Sequence, residues 1–259
     1  MEHNKFNRLK LKSVQQSIGM LKIYRTWFIF NQYIFDMYKI NTLTRLVLAW
    51  VLPLLLLFSP LSLEAKEKIT VKIAPNMPYA DIQYKGNKIR IKRIQNEDNK
   101  LTDNFTKTSR PCPPFCITPM EAMPNVKTVG ELELIAFLKQ YANSEKGLLI
   151  DARLAKFYDV ETIPGAVNIP FTLFTSTSIK EVVLLLGVTK KKEKYDFSQA
   201  KTLYLFCNGP WCEQSPRAIK ALINFGYPAD KIYYYRGGMQ LWKLFSLTTV
   251  LPKPNKIDQ

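Results

Sequence analysis

The stretch Lys201-Thr-Leu-Tyr-Leu-Phe-Cys207-Asn-Gly-Pro-Trp-Cys212-Glu-Gln-Ser215-Pro-Arg-Ala-Ile-Lys-Ala221 decides how the chain is read. Thr202 to Phe206 is a short apolar run of strand-forming residues, which predicts a buried strand. Gly209 and Pro210 then break regular structure. Ser215 followed by Pro216 reads as a helix start, with Ser as cap and Pro at the first helical position. The order is therefore strand, tight loop, helix, with Cys207 opening the loop and Cys212 inside it. A helix N-terminus presents unpaired N–H groups and partial positive charge, which stabilise a thiolate. Cys207 and Cys212 are thus candidate nucleophiles. The blander alternatives are a buried structural Cys207 or a plain disulfide.

Outward from this stretch, helices and strands alternate. Leu148 to Asp151 reads as a short buried strand ending in an acid, after a helix from Val129 to about Tyr141 capped by Thr128. Leu132, Leu134, Ile135 and Leu138 form that helix's apolar face, and Gly147 ends it. Ile163 to Pro170 reads as a turn, a brief strand and another turn. Ser178 to Gly187 reads as a helix, and Thr189 to Ser198 as a basic loop. Lys231 to Tyr235 is a further strand, and Arg236-Gly237-Gly238 turns into a helix around Gln240 to Phe245. Such alternation implies an α/β fold, a doubly wound parallel sheet with helices on both faces. Ligands of such sheets bind at the carboxyl ends of the strands, where Asp151, Cys207 and Arg236 lie.

Upstream, Ile69 to Ile94 alternates apolar and polar residues, with Gly86-Asn87 as a turn, so a small β-hairpin module is expected. Then comes Arg110-Pro-Cys112-Pro-Pro-Phe-Cys116-Ile-Thr-Pro-Met120, with Met123 close behind. Its prolines forbid a regular helix. Cys112 and Cys116 are a candidate disulfide, within the segment or to the Cys207/Cys212 loop. They read next as a redox partner of that loop, and last as a soft-metal site with the methionines.

The N-terminus has a different character. Residues 1–36 are basic and aromatic, a candidate mis-assigned extension if translation starts at Met37. Residues 37–65 have the form of a signal peptide: Lys39 and Arg45 precede an apolar run from Leu46 to Phe58, with cleavage expected after Ala65. The alternative is an uncleaved membrane anchor over 46–63. Either way the body is expected to be exported, most simply to a periplasm, where disulfides persist. The resulting division is 1–36, 37–65, a hairpin and Cys/Pro segment over 66–125, and the α/β domain over 126–250.

Net charge is +16, but the basic residues are scattered and carry no aromatic-plus-basic motif, so no nucleic-acid partner is expected. The single histidine is His3, which removes Cys-His dyads and His-ligated metals from the body of the chain. No cofactor and no metal are expected.

Four elements together resemble the rhodanese (sulfurtransferase) family: Leu149-Ile-Asp151-Ala-Arg153, Ile163-Pro-Gly-Ala-Val-Asn-Ile-Pro170, the strand entering Cys207, and Tyr235-Arg-Gly-Gly-Met-Gln-Leu-Trp242. They span about Val126 to Leu247. The resemblance implies that Cys207 carries sulfane sulfur as a persulfide, taken from a small sulfur donor and passed to a thiol acceptor. It also implies that Asp151 and Arg153 brace the site. Asn208, Gly209, Trp211, Gln214, Ser215, Arg217 and Arg236 are the candidate loop and anion-binding residues, with Arg217 and Arg236 supplying positive charge. Cys212, five residues on, would resolve or regulate the persulfide. The family's usual Gly-His before Ile163 is Glu161-Thr162 here. A phosphatase loop of the same architecture would need Arg at position 213, which is Glu. Trp211-Cys212-Glu-Gln-Ser215 also resembles a thioredoxin motif whose second cysteine is serine, which would make Cys212 the nucleophile. The alternative function is a non-catalytic rhodanese-fold binding module, or a thiol–disulfide redox module, with a Cys207–Cys212 disulfide. Membrane contact is expected only through an uncleaved N-terminal segment, and a protein partner has no signature.

Overall fold

The structure, a computed structural model, describes residues 69–142 and 144–252. The extension over 1–36 and the signal or anchor segment over 37–65 lie outside the described residues. All of the described residues belong to one unit by their internal contacts.

The hairpin forms first in chain order: β1 (Tyr79–Tyr84) pairs antiparallel with β2 (Asn87–Lys92), Ile82 opposite Ile89. Its turn is Lys85-Gly86, both with positive φ (48° and 76°), one residue earlier than the expected Gly86-Asn87. A two-residue turn with both centres left-handed matches the twist of the flanking strands. The alternation over Ile69 to Ile73 yields no strand. Instead the Gln95 carboxamide accepts from the Thr70 and Val71 amides and donates to the Val71 carbonyl.

The main sheet is built from β3 (Lys127–Val129), β4 (Gly147–Asp151), β5 (Ala166–Asn168), β8 (Thr202–Phe206) and β9 (Ile232–Tyr235). Its order is β3-β9-β8-β4-β5, every pair parallel. Between β5 and β8 the basic stretch expected as a loop is a second hairpin, β6 (Thr189–Lys191) with β7 (Lys194–Asp196). Lys192, with φ of 54°, makes its turn, and the lysine charges stay in solvent.

Helices cover both faces: α1 (Glu131–Tyr141), α2 (Ala155–Tyr158), α3 (Ile179–Leu185), α4 (Gln214–Phe225) and α5 (Gly238–Leu244). Side chains alternate along β8 and sort the core into two layers. Leu203 and Leu205 join Val182 and Val183 of α3 and Ile219 and Leu222 of α4. Tyr204 and Phe206 join Leu134 and Leu138 of α1, Met239 and Trp242 of α5, and Ile82 and Ile91 of the hairpin. The hairpin thus shares its core with the sheet rather than building one of its own.

Thr128 does not cap α1. It lies in β3 opposite Tyr234, and its hydroxyl donates to the Met120 carbonyl. Gly130 takes the cap position, its amide donating to the Glu133 carboxylate at 3.0 Å. Within α1, Leu132 lies off the buried face, 47% exposed, and Phe137 lies on it. Gly147, expected as a helix end, is the first residue of β4.

Candidate functional site

Cys207 follows the last residue of β8, at the carboxyl edge of the sheet and beside Asp151, which ends β4 opposite Phe206. The chain then turns tightly, the Cys212 amide donating to the Gly209 carbonyl at 2.9 Å, and enters α4. Helix α4 begins one residue before the expected cap: Glu213 stands at the cap position and Ser215 lies inside the first turn. Pro216 is tolerated one residue further in, because the first helical N–H groups have no intrahelical acceptor anyway. Released from capping, the Ser215 hydroxyl donates to Cys207 Sγ at 3.1 Å, and the Ser215 amide is directed at the same sulfur.

The amide support expected at Cys207 is present, but burial overrides it. Cys207 is 2% exposed. Loss of solvation, reinforced by the neighbouring Cys212, pushes its thiol well above the usual range, against the pull of Ser215. Its S–H donates to the Cys212 carbonyl at 3.2 Å. Cys212 behaves in the opposite way. The Cys207 thiol beside it and the Gln214 and Asn208 amides pull it down to about 7, despite burial. The Asn208 carboxamide also lies 3.8 Å from Cys212 Sγ. The two neighbouring thiols thus shift in opposite directions, Cys207 up and Cys212 down.

Helix α5 closes the site from below. The Met239 and Gln240 amides donate to the Cys207 and Asn208 carbonyls at 3.0 and 2.8 Å. This approach is possible only because residue 238 is glycine: at its φ of 54°, a Cβ would stand 2.3 Å from the Cys207 carbonyl oxygen. Gly209 is constrained likewise, since a Cβ there would meet the Gln240 Cβ at 2.8 Å.

Above the loop lies a cavity of about 330 Å³, and Cys212, unlike Cys207, lines it. Its walls are mainly apolar: Trp211, Phe115, Phe157 and Phe171, with Cys116 on the same rim. Gln214 also lines it, and its Oε1 has no hydrogen-bond partner among the described residues. The Cys/Pro segment forms one whole wall. Cys112 and Cys116 are disulfide-bonded to each other, not to the loop. The Thr118 amide donates to the Pro210 carbonyl at 2.8 Å, and the Phe115 and Trp211 rings lie 4.8 Å apart. The Arg110 guanidinium sits over Phe115 at 4.4 Å.

The two expected anion-binding arginines are engaged elsewhere. Arg236 donates to the Thr118 and Pro119 carbonyls at 2.9 and 3.2 Å, which clasps the Cys/Pro wall onto the sheet. Arg217 lines the cavity but is paired with Glu213 at 2.8 Å, both largely in solvent. Asp151 and Arg153 form a fully buried pair, Arg153 Nη2 to Asp151 Oδ2 at 2.7 Å. Thr162 donates to the same carboxylate at 2.8 Å, and Arg153 donates to the Glu161 carbonyl at 2.6 Å. The Thr162 hydroxyl completes the hydrogen bonds of the pair, while the Glu161 contact is through its backbone and would be made by any residue there.

The sequence reading missed Gly238, Thr118 and the aromatic wall. The Pro-Phe-Cys116 step between prolines was the available signal for the wall, because a stiff segment holds an aromatic ring in place.

Residues 135–244 match the family model described as a rhodanese-like domain. A Buchnera aphidicola protein is 26% identical over 111 residues, covering 43% of this chain and 63% of that relative, less than two thirds of its length. Among solved structures, the human single-domain sulfurtransferase is 22% identical over 46% of this chain and 96% of its own, with a TM-score of 0.34. The thiosulfate sulfurtransferase of Pseudomonas aeruginosa is 19% identical over 52% of this chain and 22% of its own, TM-score 0.35. Residues 135–244, under half of the chain, are thus similar to a rhodanese-like domain, and they hold four of the five parallel strands, including the one that leads into Cys207.

Proposed function

We propose that the chain is a sulfurtransferase whose receiving sulfur is Cys212, with Cys207 as its buried partner. The observation that carries this reading is that Cys212 lines the cavity and Cys207 does not, although both are buried, at 5% and 2% exposure, and the Cys212 thiol is pulled down to about 7. The Cys212 thiolate attacks the outer sulfur of a persulfide or polysulfide donor. The donor's S–S bond breaks, its electron pair leaves on the departing thiolate, and Cys212 holds a persulfide. Cys207 then takes the outer sulfur by the same displacement, giving the Cys207 persulfide that the family resemblance implies. An acceptor thiol draws it back through Cys212. Apolar walls and paired arginines favour a donor with an organic group over thiosulfate, whose compact double charge prefers unpaired cations.

The test is mass spectrometry of intact protein after incubation with polysulfide. A one-sulfur adduct is expected in wild type and in Cys207→Ser, and its loss in Cys212→Ser. The adduct persisting in Cys212→Ser and vanishing in Cys207→Ser would reverse the two roles.

The contact between the two thiols supports a second reading, a thiol–disulfide module cycling through a Cys207–Cys212 bond. The Cys112–Cys116 disulfide supports export, since such bonds persist outside reducing compartments. Among the described residues no helix is long and apolar enough to cross a membrane. Fractionation of cells expressing the full chain tests the location.

A further inference from the structure

One cysteine from each pair, Cys116 and Cys212, lines the same cavity, and the sulfur-transfer reading uses only Cys207 and Cys212. The Cys112–Cys116 segment faces the loop in a fixed register: Phe115 against Trp211 and Thr118 on Pro210. Each of these residues is a near neighbour of Cys116 or Cys212, and both cysteines line the same 330 Å³ space. Three holds keep this wall in place: the Thr118 amide, the Thr118 hydroxyl on the Pro210 carbonyl at 2.7 Å, and the Arg236 clasp. The two members of the disulfide differ in setting. Cys112 is exposed, whereas Cys116 is half-buried on the cavity side. Cys212, which also lines the cavity, and Cys207 behind it are free thiols.

We infer that the Cys112–Cys116 disulfide is the internal electron acceptor for the Cys207/Cys212 dithiol, the two pairs exchanging across the cavity through a Cys116–Cys212 bond. The inference rests on the two-thiol site proposed above.

The exchange balances without any further reactant. The Cys212 thiolate attacks Cys116 Sγ, the Cys112–Cys116 bond breaks, and Cys112 leaves as a thiolate with the electron pair. Cys207 then attacks Cys212 Sγ, forming the Cys207–Cys212 bond and expelling Cys116, which receives the proton Cys207 gives up. One disulfide and one proton stand on each side, and two electrons have moved from the inner pair to the outer pair. An external disulfide restores the outer pair by attack of Cys112, its exposed member. The same chain thereby gains a way to close its sulfur-accepting thiols when the surroundings turn oxidising.

Trapping the bridging bond tests this. In full-length Cys112→Ser/Cys207→Ser protein, only Cys116 and Cys212 remain, and mild oxidation with one equivalent of diamide is expected to link them within one molecule. In Cys116→Ser/Cys207→Ser protein, the Cys112–Cys212 link is expected at less than a tenth of that yield. Peptide mapping after alkylation reads both, and thermal melts establish that each variant is folded. Folded protein with both thiols alkylated and no Cys116–Cys212 link overturns the inference, as would equal linking of Cys112 and Cys116. The one-sulfur adduct on wild-type protein is read separately. Its presence without the cross-link sinks the exchange alone, and its absence with the cross-link sinks sulfur transfer alone.

Discussion

Ser215 gives its hydroxyl hydrogen bond to the sulfur of Cys207 at 3.1 Å, from inside the first turn of α4 rather than from its cap. Because the bond strengthens as that sulfur gains charge, it matters most during transfer. Ser215→Ala is expected to slow sulfur transfer to Cys207 about 10-fold, the effect of roughly 1.4 kcal/mol in a barrier. Single-turnover kinetics with a persulfide donor measures it, and uptake onto Cys212 should be nearly unchanged.

Alkylation of Cys212 by iodoacetamide is expected to rise with pH around a midpoint near 7. Its largest cause is the adjacent Cys207 thiol, so in Cys207→Ala the midpoint moves up. The same shift acts on stability. Cys212 is more acidic folded than in an unfolded chain, whose thiols ionise near ~8.5. Its stabilising contribution is thus complete above that value and lost as pH falls through about 7. Subtracting the Cys212→Ser melting profile from that of wild type isolates this slope.

Gly238→Ala is expected to be among the most damaging small substitutions. It places a Cβ 2.3 Å from the Cys207 carbonyl oxygen at a left-handed φ, so backbone must move. A cost on the order of 3 kcal/mol and a fall in Tm of roughly 10 °C are expected. Differential scanning fluorimetry reads the loss directly.

Arg153→Met leaves the fully buried Asp151 carboxylate with Thr162 but without its cation. Breaking a buried pair on one side costs about 3–5 kcal/mol. Adding Asp151→Leu should recover part of that loss, so a double-mutant cycle on urea midpoints gives a large coupling between the two positions.

Arg236→Gln is expected to loosen the Cys/Pro wall, because it removes the donors to the Thr118 and Pro119 carbonyls. Hydrogen exchange over residues 110–120 should quicken, while KM for thiosulfate stays level. A several-fold rise in that KM would restore the anion-binding role.

Strong local signals and tertiary choices account for what the sequence did and did not disclose. The apolar run into Cys207 and the strand ending at Asp151 were legible, since a strand buried on both faces has few alternatives. Ser215 was misread because Ser-Pro is a cap signal locally, and only packing shows that a sulfur lies within its reach. Arg236 read as a free cation because nothing near it in sequence shows that carbonyls 117 and 118 residues away would take it up. Burial, invisible in a linear chain, raises the Cys207 thiol, while the Cys207 contact lowers that of Cys212.

The segment matched by the family spans 135–244, yet the chain on either side is stitched to it. Arg93 bridges Leu247, Thr162 bridges Val250, and the Trp242 indole donates to the Thr248 carbonyl. Ile82 and Ile91 supply apolar cover for Leu134 and Leu138. Excising the recognisable piece would strip away that cover; keeping it and the pairing to Val250 means retaining the chain from Tyr79 through Val250.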